Sequence, residues 1–300
     1  MSTGVLVGGV SIIWGANFVV MKNALEYTTP LVLGTLRMIV AGTLLVALGV
    51  LVGAAFPAGR REITGIAVVA MCTTTLSTGL SIIGVDRVSA GLAALLSNTL
   101  PLFTVILAPL LLHERVRRGA LTGLAIGFAG TAAIALPALT GRTDGFGVVC
   151  MLVSAALWSL GSVMYKRFDL TRPHPLLVLG IQLWFSAAGL ALLAAVFEDV
   201  GDTRPWTWHF LVPFAWVSTI GLAVAFLVWN ELLERGSAVQ ASATAYLVPV
   251  SGVLFGVLLR GERLVLIEVL GGALVLVGVA IVVRHRSRAE EPPAGEPLAN

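Results

Sequence analysis

The chain has 300 residues, of which 57% are hydrophobic and only 12% are charged, and its mean hydropathy is +0.96. Soluble domains carry about 25% charged residues, so this composition excludes a water-soluble fold and predicts several membrane-spanning segments. The net charge of +3 comes from arginines in short loops between apolar runs, which indicates membrane topology rather than nucleic-acid binding. Cys72 and Cys150 lie inside apolar segments without disulfide or metal spacing, and we expect both to be packing residues.

The sequence contains ten apolar segments joined by short loops. They span about 4–22, 30–53, 64–84, 88–112, 119–137, 145–165, 176–197, 209–231, 237–259 and 264–283. The first segment has no basic flank and no small-residue cleavage site before Lys22, so we interpret it as a mature helix rather than a signal peptide. Residues 284–300 are polar and proline-rich, which predicts a disordered tail.

Two long stretches of the chain have the same design. Ser89 to Arg115 aligns with Ser237 to Arg263 at an offset of 148 positions, and the proline and the terminal Glu-Arg coincide. Trp14 in the first segment aligns with Trp158 in the sixth at an offset of 144. The chain is therefore predicted to be a duplication, with one repeat over 4–137 and a second over 145–283.

The distribution of basic residues predicts the orientation. With the N-terminus inside, the inner loops and tail hold twelve Lys and Arg residues and the outer loops hold six, which places both termini in the cytoplasm. Since each repeat has five segments, the second repeat must cross the membrane in the opposite sense to the first. We therefore predict an all-α membrane protein with ten transmembrane helices in two inverted five-helix repeats, an architecture typical of secondary transporters.

The chain resembles the drug/metabolite transporter superfamily and, within it, the EamA-like family of ten-helix transporters. The resembling residues are the W-G-x-N start, the two aligned stretches with their prolines, and the second-half tryptophan: Trp14, Gly15, Asn17, Ser89 to Glu114 with Pro101, Trp158, and Ser237 to Glu262 with Pro249. Trp158 is followed by Ser159-Leu160-Gly161 rather than by Gly-x-Asn. The resemblance implies two EamA repeats around a central cavity and the export of small metabolites, such as amino acids, across the bacterial inner membrane.

Arg37 is the most informative single residue. It lies about seven residues into the second segment, roughly 10 Å from the helix start, where a charge costs on the order of 2.5–3.5 kcal/mol on insertion scales. No Asp, Glu or His lies deep in an apolar segment to pair with it. Two interpretations stay open: Arg37 faces the cavity and holds a substrate carboxylate, or it has a structural role, in which it snorkels outward or ties helix ends together. Gln182 stands near the equivalent position of the second repeat.

The prolines of the two aligned stretches point to further contacts near the membrane midplane. Asn98 and Tyr246 are equivalent in the repeat and lie shortly before Pro101 and Pro249, which loosen the preceding turn and leave carbonyl groups to be satisfied. Asn98, Tyr246 and Asn17 are candidate substrate contacts. The alternative for each is a hydrogen bond between helices.

Other candidates are aromatic or hydroxyl-bearing. Trp14 and Trp158 lie near mid-helix and could line a cavity or simply pack. The remaining cavity candidates are Thr74, Thr78 and Ser162. Glu114 and Glu262 end their segments beside an arginine, and a structural ion pair or cap is expected there rather than proton coupling.

The sequence contains no HExxH, Walker, GxSxG or Cys/His signature, so no catalytic, metal or cofactor site is expected. We predict a secondary transporter of amino acids or related carboxylates that works by alternating access as a monomer or weak homodimer. Its partners would be the bilayer and a small-molecule substrate, without nucleic acid. A passive facilitator or pore, a ligand sensor and, last, an integral-membrane enzyme remain as alternatives.

Overall fold

The computed structural model describes residues 3–112, 118–139, 141–170, 174–199, 207–228 and 244–290, and all of the secondary structure within them is helical. We number the ten helices in chain order. They are α1 (Thr3–Leu25), α2 (Pro30–Leu51), α3 (Arg60–Arg87), α4 (Ala90–Leu112), α5 (Arg118–Leu139), α6 (Gly145–Arg167), α7 (Pro175–Phe197), α8 (Trp208–Val228), α9 (Thr244–Arg260) and α10 (Leu266–Glu290).

Nine of these helices are long and apolar enough to cross a bilayer, and α9 has 17 described residues. The helices match the ten predicted segments, with two differences at the C-terminal end. The described part of α9 begins at Thr244, so the predicted start near 237 lies outside the described residues. The last helix continues to Glu290, into the segment predicted to be a disordered tail, and 291–300 lie outside the described residues.

The main contacts between helices are related by the duplication: when the two repeats are interchanged, each contact maps onto an equivalent contact. The packing of α1 against α9 has its counterpart in α6 against α4, and α1 against α8 has its counterpart in α6 against α3. In the same way α2 against α8 corresponds to α7 against α3, while the pairs α2–α7 and α5–α10 each correspond to themselves. This pattern is the inverted repeat in structural form, and its strongest contacts join helices from different halves.

Three of the helices are irregular near their middles. In α4 the helix is broken between Ser97 and Leu100, directly before Pro101, as expected where a proline removes a backbone donor. α3 and α8 each contain a π-helical stretch, Ala70–Ser77 and Trp216–Val224. The two π stretches occupy equivalent places in the two repeats, and such irregularities are frequent at functional sites.

The pair α5–α10 is joined by glycines at two levels. A Cβ atom built on Gly130 would lie 2.6 Å from the carbonyl oxygen of Gly271, and one built on Gly278 would lie 2.6 Å from that of Gly123. Both distances are too short for any real Cβ contact. The backbones of the two helices therefore touch, as small residues permit between membrane helices.

Candidate functional site

Arg37 projects from α2 onto the π stretch of α8. Its side chain is 3% exposed, its Nε donates to the carbonyl oxygen of Val217 at 3.2 Å, and its Nη1 lies 3.9 Å from the sulfur of Met21. Among the described residues, no carboxylate contacts this guanidinium. Arg37 is therefore neither at the interface nor open to water in this conformation, and a backbone carbonyl takes the place of an anionic partner.

Asn17 meets the same π stretch one turn further along α8. The Oδ1 of Asn17 is buried and accepts no hydrogen bond from the described residues. It lies so close to Gly221 that any Cβ at that glycine would overlap it. A buried oxygen without a donor costs about 1–3 kcal/mol, so this amide is available to a ligand or to a different packing of α8.

The other half contains an equivalent arrangement around the π stretch of α3. Gln182, the counterpart of Arg37, donates from α7 to the hydroxyl oxygens of Thr73 at 2.9 Å and Thr74 at 3.3 Å. Thr74 is also 2.5 Å from the hydroxyl of Ser186. Gly161, the counterpart of Asn17 in the repeat, packs directly on Thr73. Each π stretch is thus contacted by polar side chains from α2 or α7 and by residues from α1 or α6.

The two predicted tryptophans share an aromatic neighbour that the sequence did not single out. Phe226 of α8 lies 6.2 Å from Trp14 in an edge-to-face contact and 6.5 Å from Trp158 in a stacked one, measured between ring centroids. Trp14 and Trp158 are only partly buried. One turn after Trp158, Ser162 is exposed, and its hydroxyl donates to the Trp158 carbonyl at 2.8 Å. Three helices from both halves therefore form one aromatic wall.

The remaining candidates are not gathered with these. Asn98 donates to Ala94 O within its own helix at 3.0 Å, and Thr78 donates to Thr73 O at 3.2 Å. Pro101 and Pro249 lie inside α4 and α9. The side chain of Tyr246 and the whole of Glu114 lie outside the described residues.

Glu262 caps a helix of the opposite half. Its two carboxylate oxygens accept hydrogen bonds from the backbone N–H groups of Ala90 at 2.7 Å and Gly91 at 3.0 Å, at the start of α4. Lys22 holds the end of α3 just before this point and donates to Val85 O at 2.9 Å and Val88 O at 2.6 Å.

Three further carboxylates cap helix starts at the same end of the molecule, and sequence reasoning missed them. Glu198 accepts from the N–H groups of Leu31 and Val32 of α2, Asp144 accepts from Gly147 of α6, and Glu268 accepts from Val265 before α10. Negative charge is favourable at helix N-termini. The signal available in the sequence was an acidic residue in a short loop beside an apolar run for Glu198 and Asp144, and one near the start of an apolar run for Glu268.

Two cavities lie near this same end. One of about 260 Å³ is bordered by the ends of α3, α5 and α10, and includes Arg87, Arg142, Arg263 and Glu268. The other, of about 500 Å³, lies between α1 and α8 and includes Asn23, Glu26, His209 and Trp216. Among the described residues, none of the predicted site residues lines either of these two cavities.

Comparison with known proteins agrees with the fold. The model of the EamA-like transporter family matches residues 2–136 and 145–284. The chain is 28% identical to the uncharacterized transporter YvbV of Bacillus subtilis over 97% of this chain and 94% of that protein. It is 27% identical to the uncharacterized inner membrane transporter YedA of Escherichia coli, over 96% of this chain and 92% of that protein.

Two further similarities extend the comparison. A WAT1-related chloroplast protein of Arabidopsis thaliana is 28% identical over 90% of this chain, which spans 66% of that protein. A solved crystal structure superposes with a TM-score of 0.64 at 20% identity and covers 97% of this chain and 100% of the other, which shows the fold. The family match extends over both halves of the chain, and so this multi-pass membrane protein belongs to the EamA-like transporter family of the drug/metabolite transporter superfamily, whose members are transporters rather than enzymes.

Proposed function

We propose that this transporter exports amino acids or closely related carboxylates across the bacterial plasma membrane by alternating access, with both termini in the cytoplasm. The substrate site is formed around the π stretch of α8, where the two halves meet. The observation that carries this proposal is Arg37, a buried cation held by a carbonyl oxygen and contacted by no described carboxylate.

A substrate carboxylate would bind Arg37 better than its present partner. The present bond already has one charged partner, but a carboxylate adds the opposite charge and can accept two parallel N–H bonds from the guanidinium, so it can displace the carbonyl of Val217. Because Arg37 is only 3% exposed in this conformation, the carboxylate can replace the carbonyl only when the site opens.

The neighbouring groups fit the rest of an amino acid. Asn17 offers an oxygen without a donor one helical turn from the Arg37 contact, which suits an ammonium group. The aromatic wall of Trp14, Phe226 and Trp158 offers apolar surface for a side chain. Ser162, exposed beside Trp158, lies where a substrate could enter.

The experiment is counterflow in proteoliposomes with labelled amino acids, each compared with its neutral amide, for the wild type and Arg37→Gln. We expect saturable exchange by the wild type. For the carboxylate form we expect a loss of roughly 10- to 100-fold in Arg37→Gln, because a hydrogen bond to a charged group contributes about 1.5–3 kcal/mol. The neutral amide, if carried, should be affected much less.

Arg61→Gln is the matched control, since Arg61 is exposed and only reaches the Arg167 carbonyl at 3.5 Å. It should exchange like the wild type. An equal loss for both substrate forms in Arg37→Gln would assign Arg37 to packing and refute the anchor. Flux without saturation or counterflow would support a pore instead of a carrier.

A further inference from the structure

The corner between α3 and α4 is held by two opposite charges from other helices. Lys22 of α1 binds the carbonyl oxygens that end α3, and Glu262 binds the N–H groups that begin α4. Each charge matches the sign that a helix end attracts. Lys22 belongs to the first half and Glu262 to the second, so this corner clamp joins the halves.

The backbone around Glu262 is shaped to receive its carboxylate. Any Cβ at Gly256 would overlap Oε2, and a Cβ at Gly91 would lie 3.7 Å from Oε2 and 3.3 Å from the backbone of Val253. Gly256 therefore leaves the space that the carboxylate fills, while Gly91 lets the start of α4 lie close to α9 at Val253. The residue itself is only partly buried, so protons from solution can reach it.

Several charges surround the clamp from every side. Lys22 from α1 is electrostatically coupled to Glu262, Arg260, Asp86 and Glu26. Arg260 at the end of α9 is paired with Glu26 at 3.1 Å and also bonds Asn23. Arg263 follows Glu262 directly in the chain. Charges of both signs therefore lie around the carboxylate that closes the clamp.

We propose that Glu262 is a proton-binding site that controls the opening of this face of the transporter. This inference rests on the proposed alternating access. A proton from solution forms an O–H bond with one carboxylate oxygen, which removes the negative charge and leaves one good acceptor oxygen for two N–H groups. The start of α4 is then released from the second half, and the face opens on the acidic side.

The duplication repeats the two charged residues of the clamp. Lys22 aligns with Lys166 and Glu262 aligns with Glu114, which lies outside the described residues. The inference itself depends only on the described corner.

Amide hydrogen exchange tests the clamp without knowledge of the substrate. The full chain in nanodiscs is labelled between about pH 7.5 and pH 4, the range in which carboxylic acids gain protons, and exchange is corrected for its intrinsic pH dependence. We expect the amides of Ala90 and Gly91 to be protected at neutral pH and to lose protection on acidification. In Glu262→Gln they should exchange roughly 10- to 100-fold faster, with no dependence on pH.

Two variants sharpen the test. Glu198→Gln is the matched control: it should expose the amides of Leu31 and Val32 and leave Ala90 and Gly91 unchanged. Glu262→Asp, which keeps the charge, should retain pH-dependent protection.

Protection of Ala90 and Gly91 that is independent of pH in the wild type, or unchanged in Glu262→Gln, would overturn the inference. The counterflow experiment judges the proposed function separately. If the protein shows no counterflow of any compound, the transport proposal is contradicted. The amide hydrogen-exchange data still decide whether Glu262 is a proton site. Successful counterflow with pH-independent protection would leave a carrier whose gate is elsewhere.

Discussion

Arg37 and Gln182 are equivalent in the repeat and reach equivalent π stretches, yet they differ in charge. Gln182 is satisfied by two threonine hydroxyls, whereas Arg37 binds one carbonyl and touches a sulfur. A charge at this depth costs about 2.5–3.5 kcal/mol on insertion scales, and the amide of Gln182 is far less costly. The two halves therefore share a framework but differ in charge at this position, and under the proposed function only the Arg37 side would bind an anion.

Glu198 offers a prediction about single-residue stability. It accepts N–H bonds from Leu31 at 2.8 Å and Val32 at 3.1 Å. Glu198→Ala leaves these donors unsatisfied, so we expect a loss of about 1–3 kcal/mol in the free energy of unfolding, measured as thermal unfolding in detergent. Asp86→Ala, which removes an exposed carboxylate at the same end, should cost little. Equal losses in the two variants would contradict a capping role.

Asp144 gives a prediction about pH. The N–H group of Gly147, followed by the Arg87 side chain 3.2 Å away, lowers the pKa of Asp144 from its ordinary value. A lowered pKa in the folded state adds stability above the unfolded pKa, near 3.9, and this stability disappears as the pH falls through the folded value. The melting temperature of the wild type should exceed that of Asp144→Asn at neutral pH, and the two should converge in acid. A difference that stays constant with pH would contradict this.

The elements that matter most for function are those where regular helix fails. The two π stretches and the break in α4 lie near the middle of their helices, where each carries polar groups into the apolar interior. A π turn places successive carbonyl groups differently from an α-helix. This gives Arg37 a carbonyl to bind at Val217 and gives Gln182 two hydroxyls on α3.

The α5–α10 pair gives a prediction at the level of helix packing. Gly130→Ala would place a methyl group against the backbone of Gly271, and overpacking of this kind costs about 1–3 kcal/mol. Gly8→Ala is the matched control, because nothing lies within 4 Å of the position its Cβ would take. We expect the melting temperature to fall in Gly130→Ala and to stay unchanged in Gly8→Ala. If it is unchanged in both variants, the two helices are not in backbone contact in the membrane.

At the scale of the whole molecule, the prediction concerns orientation. In a background with Cys72 and Cys150 replaced by alanine, Arg142→Cys and Arg60→Cys both place a thiol at an exposed loop or helix end. With both termini in the cytoplasm, an impermeant maleimide added to intact cells should label the first and spare the second, and permeabilised cells should show both. The reverse labelling pattern would show that the orientation is opposite to the predicted one, with the Glu262 clamp on the inner face.

The overall architecture could be predicted because it depends on composition and repetition. Segment length, the 148-residue offset and the proline pairs lead directly to ten helices in an inverted duplication. The local environment of Arg37 could not be predicted, since a π stretch has no composition of its own and a backbone carbonyl carries no sequence signal. The same holds for Phe226 between the two tryptophans, and for Glu198, whose partners are more than 160 positions away along the chain.

The glycine contacts between α5 and α10 also limit how the halves can move. The two backbones touch at two levels, Gly130 with Gly271 and Gly123 with Gly278. Sliding of one helix along the other would therefore bring larger side chains into steric clash with the partner's backbone. The two helices can still turn about their line of contact. Under the proposed alternating access, the pair would serve as a pivot about which the halves rock, and a lipid tail could not enter between its helices.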